Sequence, residues 1–407
     1  MAHLLIIELP DGNDTDLVQA AIARGDRYTF VSGDLAPYRR QPAVLALLDR
    51  ARACVEVPGL DADELARRVL ALHASQPFDA LLCGPGAHLA ATAQLAQDLG
   101  CAFLNPATAA LLQNPPQWRQ RLQERGLPQQ ELLGAGRVIA CDTLTLSGRH
   151  HLLGVHEKLL HAPPSAALRG CTFTPQKGST RAGPDAIERY LGAVLDALGV
   201  DCGATHTELA ITARGLQVVG ISAGLPGGRL PRLLGYALGR SLHADVIALH
   251  CGQPLPVGSG ATPQVAVLRN LAAAGAGVLD EVVLPTWQDP AIRCVEVLSW
   301  PGQTVQPPLR DADSVGCVMV CGPSRADAED LADRYVARTL VRLRPAGVSV
   351  AATPGLEFTD PATPTATAAP AAAAALTQPH ATVRPWPQNP SPHLPQRLPR
   401  PRHRPGC

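Results

Sequence analysis

HLLIIEL at 3–9 is an unbroken aliphatic run apart from its glutamate, the pattern of a parallel strand buried on both faces. Asp14 or Thr15 offers an N-cap to the segment that follows, and Gly25 offers its stop, which predicts a first helix. YTFVSG reads as a second strand. ADELARRVLALHAS reads as an amphipathic helix with Leu65, Val69 and Leu72 near one face, followed by the strand DALLCG and the helix HLAATAQLAQDLG. Strands alternating with helices predict a small doubly wound parallel sheet over residues 1–103. No GxGxxG follows HLLIIEL, and GPGAH at 84–88 is too short to replace it, so a nucleotide is not assigned to this domain.

From Asn105 the pattern changes. NPATAALLQNPPQWRQRLQERGLP predicts a helix running into a Gly-Leu-Pro turn, and RVIACDTLTLSGRHHLLGVHEKLL predicts a strand pair turning at Ser147-Gly148. DAIERYLGAVLDALG is a helix, ATHTELAITARGLQVVGIS is a hairpin turning at Arg214-Gly215, and RLPRLLGYALGRSLHADVIALHCG continues as helices. These elements make up a core over 104–260. A further α+β region over 261–350 mixes short strands with the helix SRADAEDLADRYVARTLVRL, which Ser324 caps. Residues 351–407 turn to Pro, Ala, Thr and His with almost no branched aliphatics, too little apolar surface to offset ordering entropy. This tail is expected to be disordered. The fold class expected for the rest is α/β (α+β).

Charge removes several function classes. The 35 Lys+Arg balance 35 Asp+Glu, so no net field draws the chain to nucleic acid or to an anionic membrane. The apolar part of the opening MAHLLIIELPDG is short for a signal segment and no run reaches the length of a membrane span; a soluble cytoplasmic protein is expected. Eleven cysteines without a CxxC suit reduced core thiols, and Cys317 and Cys321 fall on one face of the apolar run VGCVMVCG as a structural pair. His150, His151, His156 and His161 cluster locally. No Cys or carboxylate at ligand spacing completes them, so they read as solvated or core histidines rather than a zinc site.

LQVVGISAGLPGGRLPR at 216–232 is glycine-rich, yet it lacks the GxxxxGK[ST] of a P-loop. Together with the preceding hairpin it resembles the end of the catalytic core in ATP-grasp enzymes, in particular the carboxylate–amine ligases that include L-amino acid ligases. That family writes S-H-T-E, a strand pair, then E-I-N-P/A-R-L-G-G. His206, Thr207 and Glu208 match the first part, and Ala223, Leu225, Gly227 and Gly228 match the second. The resemblance runs in order over about residues 3–345. It includes CGPGAHLAATAQLAQDLGCAFLNPATAALLQ, with Arg119 retained after it, and GRVIACDTLTLSGRHHLLGVHEKLL, with Asp142 and Lys158 retained and Val138 at a nucleotide-contacting Glu.

The resemblance implies ATP and Mg²⁺ as cofactors, and a small carboxylate and an amine as substrates for ADP-forming amide synthesis of the dipeptide or siderophore type. Self-association is also a family property. Residue by residue, it points to Arg119, Lys158, Gly227 and Gly228 at the nucleotide, Glu208 and the Ser222 hydroxyl at the metal, and Arg229 as the catalytic cation with Arg232 nearby. Hard Mg²⁺ takes several oxygen ligands, and a phosphoryl-stabilising arginine is worth on the order of 10³ or more in rate. Gly220, Ser222 and Gly224 stand where the family carries Glu, Asn and Arg, and only QQELLGA stands where it inserts the lid subdomain. Impaired ligase activity is therefore expected, the alternative being a non-catalytic binding or scaffold homologue that partners an intact ligase.

Overall fold

The computed structural model describes residues 1–344 except 10–14, 85, 87, 131–136, 163–164, 166, 176–183, 256–261 and 287–288. The tail from 351, Asp14, and most of the QQELLGA link lie outside the described residues. The N-terminal sheet is built from β1 (His3–Ile7), β2 (Arg27–Ser32), β3 (Ala53–Glu56) and β4 (Ala80–Cys83). Its order is β3-β2-β1-β4 and every pairing is parallel, as the alternating pattern predicts. Helices α1 (Asp16–Ala23), α2 (Ala36–Arg39), α3 (Pro42–Leu48), α4 (Ala62–Ser75) and α5 (Leu89–Asp98) connect and cover it. All five β1 residues are buried, because each face of the strand carries its own apolar cluster.

The single helix expected from Asn105 is two, α6 (Pro106–Leu112) and α7 (Pro115–Glu124). Asn114 is the reason: its side chain accepts from the Gln117 amide and starts a new helix, while Pro115 and Pro116 cannot continue the old one. Beyond α7 come β5 (Arg137–Leu146), β6 (Arg149–Leu160), β7 (Leu168–Thr174), α8 (Pro184–Leu198), β8 (Cys202–Thr212), β9 (Gly215–Ala223), α9 (Leu230–Leu238) and α10 (Leu242–His250). The chain continues through β10 (Val265–Leu271), β11 (Gly277–Val283), β12 (Ile292–Val297), β13 (Thr304–Val305), β14 (Gly316–Gly322), α11 (Arg325–Arg338) and β15 (Leu340–Arg344). Ser324 caps α11 through the Asp327 amide.

The core is an eight-stranded antiparallel sheet of order β12-β14-β10-β7-β6-β5-β8-β9, with β13-β11-β15 as a separate small sheet. Three C-terminal strands thus extend the core sheet. Ile139, Cys141, Val155 and Leu209 face Trp118 and Leu122 of α7 and Ile187, Leu191 and Val194 of α8. Leu144, Phe173, Leu268 and Met319 face Leu233, Leu234 and Ala237 of α9 on the other side, where Cys317 and Cys321 also pack as expected. Gly154 of β6 has a specific packing role: a Cβ there would fall among the Phe173 ring atoms and lie 2.9 Å from the Thr174 carbonyl oxygen.

Polar contacts join the parallel-sheet unit to the rest. Arg232 of α9 donates from Nε to Asp16 of α1 at 3.0 Å and from Nη1 to Glu296 of β12. Burial opposes the Arg232 charge, but the hydrogen bonds and fields of these carboxylates outweigh it and raise its pKa. His243 of α10 is buried beside this group, and burial pushes its pKa down to about 4.

Two outcomes are expected. Gly154→Ala overpacks the Phe173 site and costs about 1–3 kcal/mol, read as a lower urea midpoint at unchanged m-value. His243 is neutral in the fold while its unfolded counterpart protonates near 6.5, so the unfolded chain binds more protons between about pH 6.5 and about 4. Stability therefore falls as pH falls through that window. Urea melts at pH 7 and pH 5 read this difference, and His243→Asn is expected to shrink it.

Candidate functional site

The register of the central strands sets out the site in two cross-strand rows on one sheet face. Asp142 of β5 pairs with Gly154 of β6 and His206 of β8, and His206 pairs with Ser222 of β9. One step along, Ala140 pairs with His156 and Glu208, and Glu208 pairs with Gly220. Because side chains alternate along each strand, both rows project to the same side. The hairpins behind them follow from sequence: the turns at Ser147-Gly148 and Arg214-Gly215 stand where the glycines allow positive φ.

Glu208 is half-buried and faces Lys158 of β6 across the small side chain of Ala140, with Nζ to Oε1 at 2.5 Å. Burial alone favours the neutral carboxyl; the Lys158 hydrogen bond and charge outweigh it and lower the Glu208 pKa. Gly220 opposite Glu208 contributes no side chain, and a Cβ there would sit 3.5 Å from Glu208 Oε2. Ser222 is exposed at the end of the first row. Gly224 follows with φ 100°, a backbone conformation that side chains rarely adopt, and its amide donates to the Ala204 carbonyl at 2.8 Å.

The other residues singled out in the sequence are dispersed. Arg119 donates from Nη2 to the Val219 carbonyl at 3.2 Å and its guanidinium lies 4.8 Å from the Trp118 ring. Arg229 donates from Nε to Glu296 at 2.6 Å, in the same cluster as Arg232. Gly227 and Gly228 line a cavity of ≈ 90 Å³ between the parallel-sheet unit and the core, walled by apolar groups such as Leu82, Phe103, Ala204 and Leu225. Lys158 and Glu208 are thus brought together, whereas Arg119, Arg229 and the glycine pair each have other surroundings.

Sequence reasoning missed one grouping. Asp142 Oδ1 accepts from or shares a proton with His206 Nδ1 at 2.7 Å, and Asp142 Oδ2 lies 3.7 Å from His156 Nε2. His156 is fully buried, and burial pushes its pKa down to about 4, the Asp142 charge offsetting only part of the shift. The four histidines that looked clustered in sequence are split. His150 bonds Thr145 Oγ1 at 2.8 Å and Asp196 at 3.2 Å, well apart in partners from His156. The signal available in sequence was the hairpin register around Ser147-Gly148, which brings 140–142 beside 154–156; the contribution of His206 from β8 needed the tertiary pairing.

Residues 269–344 match the family model described as L-amino acid ligase C-terminal domain 2. None of the curated proteins matches the chain in sequence. Among solved structures, the fold is similar to a phosphoribosylglycinamide synthetase from Anaerococcus prevotii at TM-score 0.69 and 12% identity, covering 84% of this chain and 100% of that one. It is similar to an L-amino acid ligase from Bacillus licheniformis at TM-score 0.69 and 17% identity, covering 84% and 99%. A biotin carboxylase from Campylobacter jejuni, solved as a β-γ-ATP complex, follows at TM-score 0.59 and 12% identity, covering 84% and 92%. Among the described residues no helix is long and apolar enough to cross a membrane. In its parallel N-terminal sheet, its antiparallel core and its C-terminal region, the chain shares the fold of these ATP-grasp ligase structures, and its residues 269–344 are similar to the L-amino acid ligase C-terminal domain 2.

Proposed function

We propose that this chain has lost efficient ligase turnover and acts as a non-catalytic homologue, binding or scaffolding beside an intact carboxylate–amine ligase. The Lys158–Glu208 pair carries the reading. The carboxylate that the resemblance assigns to magnesium is already neutralised by an ammonium at 2.5 Å, and its cross-strand neighbour is Gly220. A hydroxyl at Ser222 and one paired carboxylate do not fit Mg²⁺, which needs near-octahedral oxygen coordination and is held beside nucleotide phosphates by one or two free carboxylates. The arginines at hand point elsewhere as well: Arg229 and Arg232 are occupied by Glu296 and Asp16. Gly224, where the family carries the phosphate-facing arginine, has a backbone that disfavours any side chain.

The apolar cavity beside Gly227 and Gly228 supports binding of a ligand of only a few heavy atoms, since its ≈ 90 Å³ is below the usual size of a substrate pocket. A metabolite held there would contact both the parallel sheet and the core.

Melting of the purified protein with Mg-ATP tests the reading. A ligand at about a hundredfold its Kd adds ~2.7 kcal/mol of stability, a readily seen rise in Tm. No rise is expected at millimolar Mg-ATP, and no ADP release above background across amino acids and small amines. A rise that Glu208→Ala abolishes would refute the proposal.

A further inference from the structure

The Asp142, His156 and His206 cluster is built from three adjacent strands and is not explained by the ligase resemblance, whose metal ligand on this face is Glu208. Its polar atoms are poorly satisfied. Asp142 Oδ2, His156 Nδ1 and His156 Nε2 are all buried without a hydrogen-bond partner among the described residues. Asp142 and His156 are 1% and 0% exposed, so bulk water does not relieve them. A buried carboxylate with one oxygen unpaired, facing an imidazole with both nitrogens unpaired, is unfavourable unless another group completes the set.

We propose that Asp142, His156 and His206 form a binding site for one divalent transition-metal ion of the zinc class. Each residue offers one ligand atom, and these atoms lie within 4.8 Å of one another. Bonds of about 2.0–2.1 Å in tetrahedral coordination place neighbouring ligand atoms roughly 3.3 Å apart. Asp142 meets His206 through Oδ1 at 2.7 Å and His156 through Oδ2 at 3.7 Å, and with all three ligand atoms within 4.8 Å of one another, side-chain rotations that draw the two imidazoles towards one carboxylate oxygen would form the shell. Two imidazoles and a carboxylate suit zinc and its first-row neighbours, whereas Mg²⁺ and Ca²⁺ prefer oxygen alone.

The surroundings tolerate the charge. Lys158 is the nearby cation and Glu208 cancels it at 2.5 Å, leaving Asp142 as the net charge that meets the ion. His206 is partly exposed and gives the ion its route in and a water or ligand oxygen its place as fourth donor. The gap at Gly154 beside Asp142 is filled by the Phe173 ring, so the other side of the site is closed by an apolar wall. The metal ties β5, β6 and β8 together at the centre of the sheet.

The experiment uses the full chain, stripped with a chelator and titrated with Co²⁺ and Zn²⁺. One Co²⁺ per chain is expected, with the visible d–d absorption of a four-coordinate ion. His156→Gln and His206→Gln should each weaken binding by at least about tenfold, the size of loss already seen for outer-shell changes at other sites, and Glu208→Gln should weaken it by clearly less, through the uncancelled Lys158 charge alone. That last variant separates this site from any magnesium bound at Glu208. Metal that binds as tightly to both histidine variants as to the parent, or no stoichiometric binding, would overturn the proposal; the second result would leave a buried water or a relaxed hydrogen bond as the partner. Should the variants fail to fold, X-ray absorption of the zinc-loaded parent decides the matter. A shell of imidazole nitrogen and oxygen supports the site, and sulfur in the shell assigns the metal to the cysteines instead.

Discussion

One sheet face has to accommodate Asp142, His156, Lys158, His206 and Glu208 within three adjacent strands, and the need to satisfy them governs the site. Lys158 and Glu208 solve their share by pairing. With side chains 35% and 25% exposed, the pair adds about 1 kcal/mol or less to stability. Its consequence is positional. A metal approaching Glu208 must first displace an ammonium that sits on the carboxylate, and neither Gly220 nor Ser222 offers a second charge to make the exchange favourable. Asp142 and the two histidines remain, deeper in the face and less well satisfied.

Arginine placement follows the same logic on a larger scale. Arg232 is the link between α1, α9 and β12, and Arg229 shares its carboxylate partner Glu296. In sequence, two arginines directly after a Gly-Gly turn look available to a phosphate. In the fold they hold the N-terminal unit and the extended sheet against α9. An anion arriving there competes with two carboxylates already in contact, whose pairing with Arg232 is strong enough to raise its pKa against the effect of burial.

Much of the architecture was legible from the chain. The buried parallel strand at 3–7, the hairpin turns at Ser147-Gly148 and Arg214-Gly215, the Ser324 cap and the paired cysteines of β14 all follow from local rules of burial, turn geometry and capping. Misses came where local pattern meets competing local chemistry or distant pairing. Asn114 with Pro115 divided a helix that periodicity joined, and β10, β12 and β14 entered the core sheet through pairings with β7 and one another that no short-range signal encodes. The site divided the same way. Lys158 and Glu208 were both identified, but their mutual contact depends on β5 lying between β6 and β8 with the small Ala140 at the crossing point.

That geometry also says why charged side chains could not simply be placed at Gly220 and Gly224 of this sheet. At Gly220 there is space, yet a second carboxylate would face Glu208 Oε2 from a Cβ only 3.5 Å away, a like-charge contact that needs a metal to hold it together. At Gly224 the obstacle is the backbone: φ of 100° disfavours arginine whatever room surrounds it, and relaxing that angle would disturb the hydrogen bond that the Gly224 amide donates to the Ala204 carbonyl. The substitutions and the local conformation are therefore mutually dependent. In the loop after β9, the Gly224 amide is held by Ala204 and Arg229 beyond it by Glu296, so a change at Gly224 reaches both contacts through the backbone.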